Sequence, residues 1–250
     1  MAETIKNNDF VELDYTGMLK EGNLVFDTSS EAVARKEGLY DQKMTYGTVS
    51  ICVGQGQILK GLDANLEGLE VGKEHEITLP PEQAFGKKDG KLMKLVPTSI
   101  FKKQGINPVV GLQVNIDGAI GTLRTVTGGR TVVDFNHPFA NKEIVYKVNL
   151  KRLITDEKEK VLALVELALN QKKSALTVEI KERKATIEVK QEFPDELLNL
   201  VKERITNVLP NIKDVEFKTE KKEAPKEAKP EPEKQAPEAP KPAETAEKPQ

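Results

Sequence analysis

The chain has 250 residues, 38 of them Lys or Arg against 40 Asp or Glu, and 38% hydrophobic, which suits one large domain or two to three small ones. That charge balance gives no electrostatic footprint for nucleic acid or an anionic membrane, and a single cysteine, Cys52, excludes an internal disulfide and any multi-cysteine metal site. The N-terminus has no basic start followed by an apolar core, and no apolar run approaches the ~18 residues that cross a bilayer, so a soluble cytoplasmic protein is expected.

From the N-terminus, "FVELDYTGML" and "NLVFDTS" bracket the turn "KEGN" and predict a hairpin. "VSICVGQGQILKGLD" (residues 49–63) then reads as strand, glycine loop and helix start, with the helix expected near Ile58–Leu66. Such an order suggests a phosphate cradle, but the dinucleotide fingerprint fails. Its third glycine position falls on Leu59, and Gly61 comes two residues late. The neighbours also read as antiparallel hairpins rather than βαβ crossovers. "HEITLPPEQAFG" predicts a further strand ending at a Pro-Pro break. "VVGLQVNID", "AIGTLRTVTGG" and "RTVVDF" predict three short strands with Gly-rich turns, and "EIVYKVNLKRL" alternates Ile144, Tyr146, Val148 and Leu150 with polar residues.

Residues 156–170 carry apolar positions at helical spacing. Leu176, Val178 and Ile180 alternate, as do Ile187 and Val189 beyond the turn "KERK". Pro194-Asp195-Glu196 opens a second helix, and Val215 and Phe217 mark a closing strand. This α-β-β-α-β unit over 155–218 is small for independent stability and is expected to dock on something. Its amphipathic helices also leave open self-pairing into a homodimer. Residues 219–250 hold half of the chain's 14 prolines and almost no apolar side chains, which predicts a disordered tail.

"VELDYTGMLKEGNLVFDTS", "VGQGQILKGLDANLEGLEVGKEHEITLPPEQAFG" and "IVYKVNLKRL" together resemble the FKBP-type peptidyl-prolyl cis-trans isomerases over roughly residues 5–154. The segment after Ala84-Phe85-Gly86 and the stretch "VVDFNHPFANKEIVYKV" resemble the long-type subclass, archaeal and SlyD-like, in which a small insert-in-flap domain that binds unfolded chains replaces the flap. Asn141 stands where that subclass usually has glycine. The resemblance implies an FKBP-type antiparallel sheet wrapped on one short helix, with an inserted small β-rich domain; together with the C-terminal α-β-β-α-β unit this makes an α+β fold. It divides residues 1–154 into a discontinuous isomerase domain (1–87 and 137–154) and an insert (88–136), ahead of the unit 155–218 and the tail 219–250.

It also implies a cradle of Tyr15, Phe26, Asp27, Val49, Ile58, Leu59, Leu62, Phe85 and Tyr146. Tyr15, Phe26 and Phe85 would wall a proline pocket with Leu62 as its floor, where many members carry tryptophan. Asp27 would orient Tyr15, and the N–H of Leu59 or Ile58 would meet the substrate carbonyl. In the insert, Met93 and Phe101 are candidates for a client groove, with core packing the equal alternative. The implied partners are unfolded clients with X–Pro bonds; no cofactor, nucleic acid, membrane or metal is implied, since the tail lacks the His and Cys of the metal-binding members. Taken singly, Tyr15, Phe26, Phe85 and Tyr146 each read more readily as core aromatics, and only their joint occurrence in the family's order and spacing makes them a pocket. His137 reads as a turn residue between domains, His75 as a solvated strand position, and Cys52 as a buried inert thiol. The alternative function is a non-catalytic scaffold or holdase on the same fold.

Overall fold

The computed structural model describes residues 3–219; of the tail expected to be disordered from 219, Thr219 closes the last strand and residues 220–250 lie outside the described residues. In chain order, the first elements are β1 (Phe10–Leu19), β2 (Val25–Thr28), α1 (Glu31–Lys36), β3 (Val49–Cys52), α2 (Lys60–Ala64) and β4 (Glu74–Leu79). The insert follows with β5 (Met93–Pro97), α3 (Thr98–Lys103), β6 (Gln113–Ile116), β7 (Ala119–Thr127) and β8 (Arg130–Asp134). β9 (Ile144–Ile154) returns to the first sheet, and α4 (Glu157–Leu169), β10 (Leu176–Lys181), β11 (Lys184–Val189), α5 (Asp195–Val208) and β12 (Asp214–Thr219) complete the described chain. No helix among the described residues is long and apolar enough to cross a membrane.

The alternation in the two longest strands dictates the first sheet. β1 lies antiparallel between β9 on one side and β2 and β3, end to end, on the other, while β4 flanks β9. Ile144, Tyr146, Val148 and Leu150 all point inward and are buried with Leu13, Ile51, Leu62 and Leu79. The motif Tyr15-Thr16-Gly17 has a packing reason. Gly17 is paired directly with Tyr146, and a Cβ at Gly17 would lie 2.6 Å from the Tyr146 ring, so only glycine lets that ring cross β1. The helix is shorter than its periodicity predicts, five residues in all. Gly61 within it abuts the carbonyl of Gln83, in the 3₁₀ turn after β4, closely enough that a Cβ would overlap it.

The insert forms its own four-stranded antiparallel sheet, β5-β8-β7-β6, over a core of Phe101, Val114, Leu123 and Val133. Two chain crossings connect it to the first sheet, and amides lace them together. The Lys88 N–H donates to Asn141 Oδ1 at 2.9 Å and the Asp89 N–H to Asn136 Oδ1 at 2.8 Å. Asn141 has φ 65°, a left-handed conformation that asparagine tolerates, which explains how it replaces the usual glycine.

Asp134 closes β8 at this crossing and is buried. Burial pushes its carboxyl up, but the Asn136 side chain and N–H, Arg124 and Lys88 more than offset this and hold it at about 2, below the ordinary 3.8. A depressed carboxyl contributes stability above its unfolded pKa and loses it as pH falls through the folded value. The urea midpoint of the insert, followed by its own amide signals, is therefore expected to hold from pH 7 to 5 and to fall steeply between about pH 4 and 2. An Asp134→Asn chain whose midpoint falls just as steeply over that interval would remove Asp134 from the explanation.

The C-terminal unit docks in cis. β10-β11-β12 form a sheet in which β11 and β12 run parallel, and α4 and α5 cover it. Val161, Leu164 and Val165 of α4 share one buried core with Phe10 of β1, Cys52 of β3 and Ile154 of β9. The apolar faces that left self-pairing open are thus buried within the same chain. Polar ties reinforce the seam, with Lys173 Nζ bonding Glu12 at 2.9 Å and Ser50 Oγ at 2.8 Å, and Arg152 bridging Glu12 and Glu159.

Candidate active site

A cavity of about 550 Å³ opens between the concave face of the first sheet and α2, lined by Tyr15, Phe26, Asp27, Gln57, Ile58, Leu59, Leu62, Phe85, His137, Phe139 and Tyr146. Each wall follows from the elements around it. Tyr15 and Tyr146 come from neighbouring strands, with rings 6.1 Å apart. Phe26 on β2 meets Tyr146 edge-on at 6.0 Å and Phe85 edge-on at 5.7 Å. Leu62, 1% exposed, forms the apolar floor where α2 crosses the sheet.

Polarity in this space is sparse and placed. The Tyr15 hydroxyl donates to Asp27 Oδ1 at 3.4 Å. Burial pushes the Asp27 carboxyl up, opposed by that hydroxyl and by the Thr28 N–H. Burial, followed by the charge of Asp27, also raises Tyr15 well beyond the ordinary phenol range, so Tyr15 remains a protonated donor. Among the described residues, the N–H groups of Ile58 and Leu59 donate to no protein acceptor.

The glycine loop of residues 53–57 holds no phosphate cradle of the nucleotide kind. The N–H groups of Gly54 and Gly56 turn onto the two oxygens of buried Asp63 at 2.8 Å each. Both glycines have positive φ, 82° and 62°. Cys52 ahead of them is buried, and burial, then the charge of Asp63, pushes its thiol up to about 12, which makes it a poor nucleophile.

The structure brings Tyr15, Phe26, Asp27, Ile58, Leu59, Leu62, Phe85 and Tyr146 around the one cavity. Val49 is not among them. It sits on β3 on the same face as Ile51 and opposite Leu13, packed at the edge of the core beneath the cavity, where it borders a separate, smaller space beside Glu166 and Leu167 of α4. Phe101 is a second correction. At 1% exposed it is the centre of the insert's core, since α3 packs its single large aromatic ring inward, and it is closed to a client. Met93 is exposed at the start of β5.

Three lining residues were not anticipated as such: Gln57, His137 and Phe139. His137 does open a turn, its carbonyl accepting the Ala140 N–H at 2.9 Å and its Nδ1 the Phe139 N–H at 3.2 Å, and its ring also stacks on Phe85 at 4.2 Å and 6°. The "HPF" run held the signal, an aromatic pair spaced by two on a stretch that returns to the pocket. His75 is also tied down, its Nε2 lying 2.8 Å from the Glu70 carbonyl. Among the described residues, no three His, Cys, Asp or Glu side chains cluster as a metal site requires.

A deep aromatic cavity over one short helix, walled by a five-stranded antiparallel sheet, is the arrangement of a prolyl isomerase domain, and comparison with known proteins agrees. Residues 1–102 match the FKBP-type peptidyl-prolyl cis-trans isomerase family, and residues 94–139 match the family described as FKBP26, IF domain. The short-type peptidyl-prolyl cis-trans isomerase of Methanocaldococcus jannaschii is 31% identical over 159 residues, covering 64% of this chain and all of that relative. The FKBP-type peptidyl-prolyl cis-trans isomerase SlyD of Haemophilus influenzae is 28% identical over 138 residues, 53% of this chain and 72% of that protein. The FKBP-type 16 kDa isomerase of Escherichia coli K12 is 26% identical over 155 residues, 60% of this chain and 94% of the relative. The chain belongs to the FKBP-type peptidyl-prolyl cis-trans isomerases and carries the insert domain.

Proposed function

We propose that this chain isomerises X–Pro bonds in unfolded or partly folded protein clients and that its insert holds those clients while the cavity acts. The observation that carries the reading is the cavity itself: five aromatic side chains and Leu62 around one tyrosine–aspartate pair.

A barrier of ~18–20 kcal/mol protects the partial double bond of the amide. No nucleophile is needed to lower it. In the twisted transition state the amide nitrogen has lost resonance and the group is less polar along C–N, so an apolar cradle favours it over the planar ground state. Phe26, Phe85 and Tyr146 supply that cradle for the pyrrolidine ring. The free N–H of Ile58 or Leu59 holds the carbonyl of the preceding residue, and Asp27, accepting the Tyr15 hydroxyl, fixes that ring at the rim.

Support for client holding comes from the insert's surface. Leu92, Met93, Leu95, Ile100, Val109, Val110 and Ile120 are all exposed, Leu95 at 58% and Val110 and Ile120 at 66% each. Such density on a small domain is more than scattered surface apolarity. The lone, buried Cys52 also suits a reducing cytoplasm.

The test is refolding of a client whose slow phase is limited by proline isomerisation. The intact chain is expected to accelerate that phase at substoichiometric amounts and to delay aggregation at equimolar amounts. An unchanged slow phase with delayed aggregation would sink the catalytic half of the reading.

A further inference from the structure

The loop that brings Gln57, Ile58 and Leu59 to the cavity is gripped from two sides, and one of those sides is the C-terminal unit. Its central peptide unit joins Gln55 to Gly56. The N–H of that unit, on Gly56, donates to Asp63 Oδ2 at 2.8 Å. Its carbonyl, on Gln55, accepts from Arg204 Nη2 of α5 at 2.8 Å. A peptide unit is planar, so a partner at each end fixes its rotation, and it can flip only if both bonds break. A flip of this unit changes the ψ of Gln55 and the φ of Gly56, and Gly56, at φ 62°, has the conformational freedom to allow it.

Arg204 is half-buried and pairs with no carboxylate among the described residues; its guanidinium donates to the Gln55 carbonyl. The next residue along the loop is Gln57, which lines the cavity and whose Oε1 accepts the Cys52 N–H at 2.5 Å. Cys52 itself lies in the core shared with Val161 and Leu164 of α4. Both ends of the loop's approach to the cavity therefore rest on the unit after β9.

We propose that the C-terminal unit sets the substrate-binding loop of the isomerase cavity, with Arg204 as the positioning residue that locks the Gln55–Gly56 peptide and so aims Gln57, Ile58 and Leu59. The inference rests on the isomerase reading of that cavity. The relative from Methanocaldococcus jannaschii is matched over its whole length by 64% of this chain, so an isomerase of this family exists without a counterpart to the remainder. The unit's contribution is accordingly to substrate affinity, not to the existence of the fold.

The experiment measures kcat and KM separately on a short X–Pro peptide for the full chain and its Arg204→Ala and Arg204→Lys variants, with thermal unfolding and the amide shifts of Gln57–Leu59 alongside. Activity of the parental chain tests the isomerase reading by itself. Given that activity, Arg204→Ala is expected to raise KM about threefold to tenfold with kcat nearly unchanged, because a misaimed loop weakens ground and transition states together. The three amides should shift, and Arg204→Lys should recover part of the affinity. If Arg204→Ala merely destabilises the chain, kcat falls with the folded fraction while KM stays put, and the inference is overturned. Unchanged kinetics in Arg204→Ala overturns it equally. Arg204→Gln, which keeps an N–H donor on a shorter side chain, gives the same split if the alanine variant does not fold.

Discussion

Phe85→Ala is expected to reduce kcat/KM on X–Pro peptides by roughly 30-fold while leaving the delay of client aggregation within about twofold of the parental chain. The ring is the hub of the cavity's open wall. It stacks under His137 at 4.2 Å and meets Phe26 at 5.7 Å and Phe139 at 5.5 Å. Truncation removes a proline-facing surface and loosens three neighbours that line the same space. A loss of about 2 kcal/mol of transition-state contact is ordinary for a half-buried aromatic wall, and each 1.36 kcal/mol is about tenfold in rate. Asp27→Ala should fall less, about tenfold, since it leaves the apolar cradle intact and strands only the Tyr15 hydroxyl. Peptide assays at fixed protein concentration and an aggregation assay on the same preparations check both. If Phe85→Ala kept parental kcat/KM, the cavity would not be where the proline sits.

Much of this site was legible because its residues serve two periodicities at once. Tyr15 and Gly17 are two apart on a strand, Tyr146 alternates with Ile144 and Val148, and the family resemblance reads those positions in order. The C-terminal unit was legible for the same reason, as its strands and helices each bury one face. What escaped was the irregular part. β5 leaves four of its five residues exposed and turns only Val96 onto the insert's core, too little of an inward face for a pattern to announce. α1 spans six residues and buries only Ala34, too little for a helical period to register. Phe101 and Met93 show the limit of reading apolarity as exposure: of two apolar residues in one short segment, the helix turned one inward and the strand left the other out. Arg204 was out of reach altogether. Its partner is a backbone carbonyl 149 positions away, and a backbone atom has no signature in the sequence.

Replacing residues 88–136 with a short loop is expected to separate the two activities sharply. Folding of the remainder should survive, because the insert has its own core of Phe101, Val114, Leu123 and Val133, and those side chains contribute nothing to the core beneath the cavity. The crossing strands that would be rejoined stay close, for the Asn141 N–H donates to the Gly86 carbonyl at 2.9 Å. Short peptides reach the cavity by diffusion, so kcat/KM on a tetrapeptide should change by no more than a few-fold. A protein client differs. Held on the insert's exposed Leu95, Val110 and Ile120, its prolines reach an effective concentration near the cavity in the millimolar range, well above the micromolar bulk. Loss of that tether should slow catalysed refolding by 10-fold to 100-fold at micromolar client and abolish the delay of aggregation. The comparison is one client, one peptide and two chains. Equal losses on peptide and protein would mean that the loop had damaged the cavity. Equal retention on both would mean that the client is held elsewhere, and the exposed apolar side chains of the insert would then have no part in the reaction.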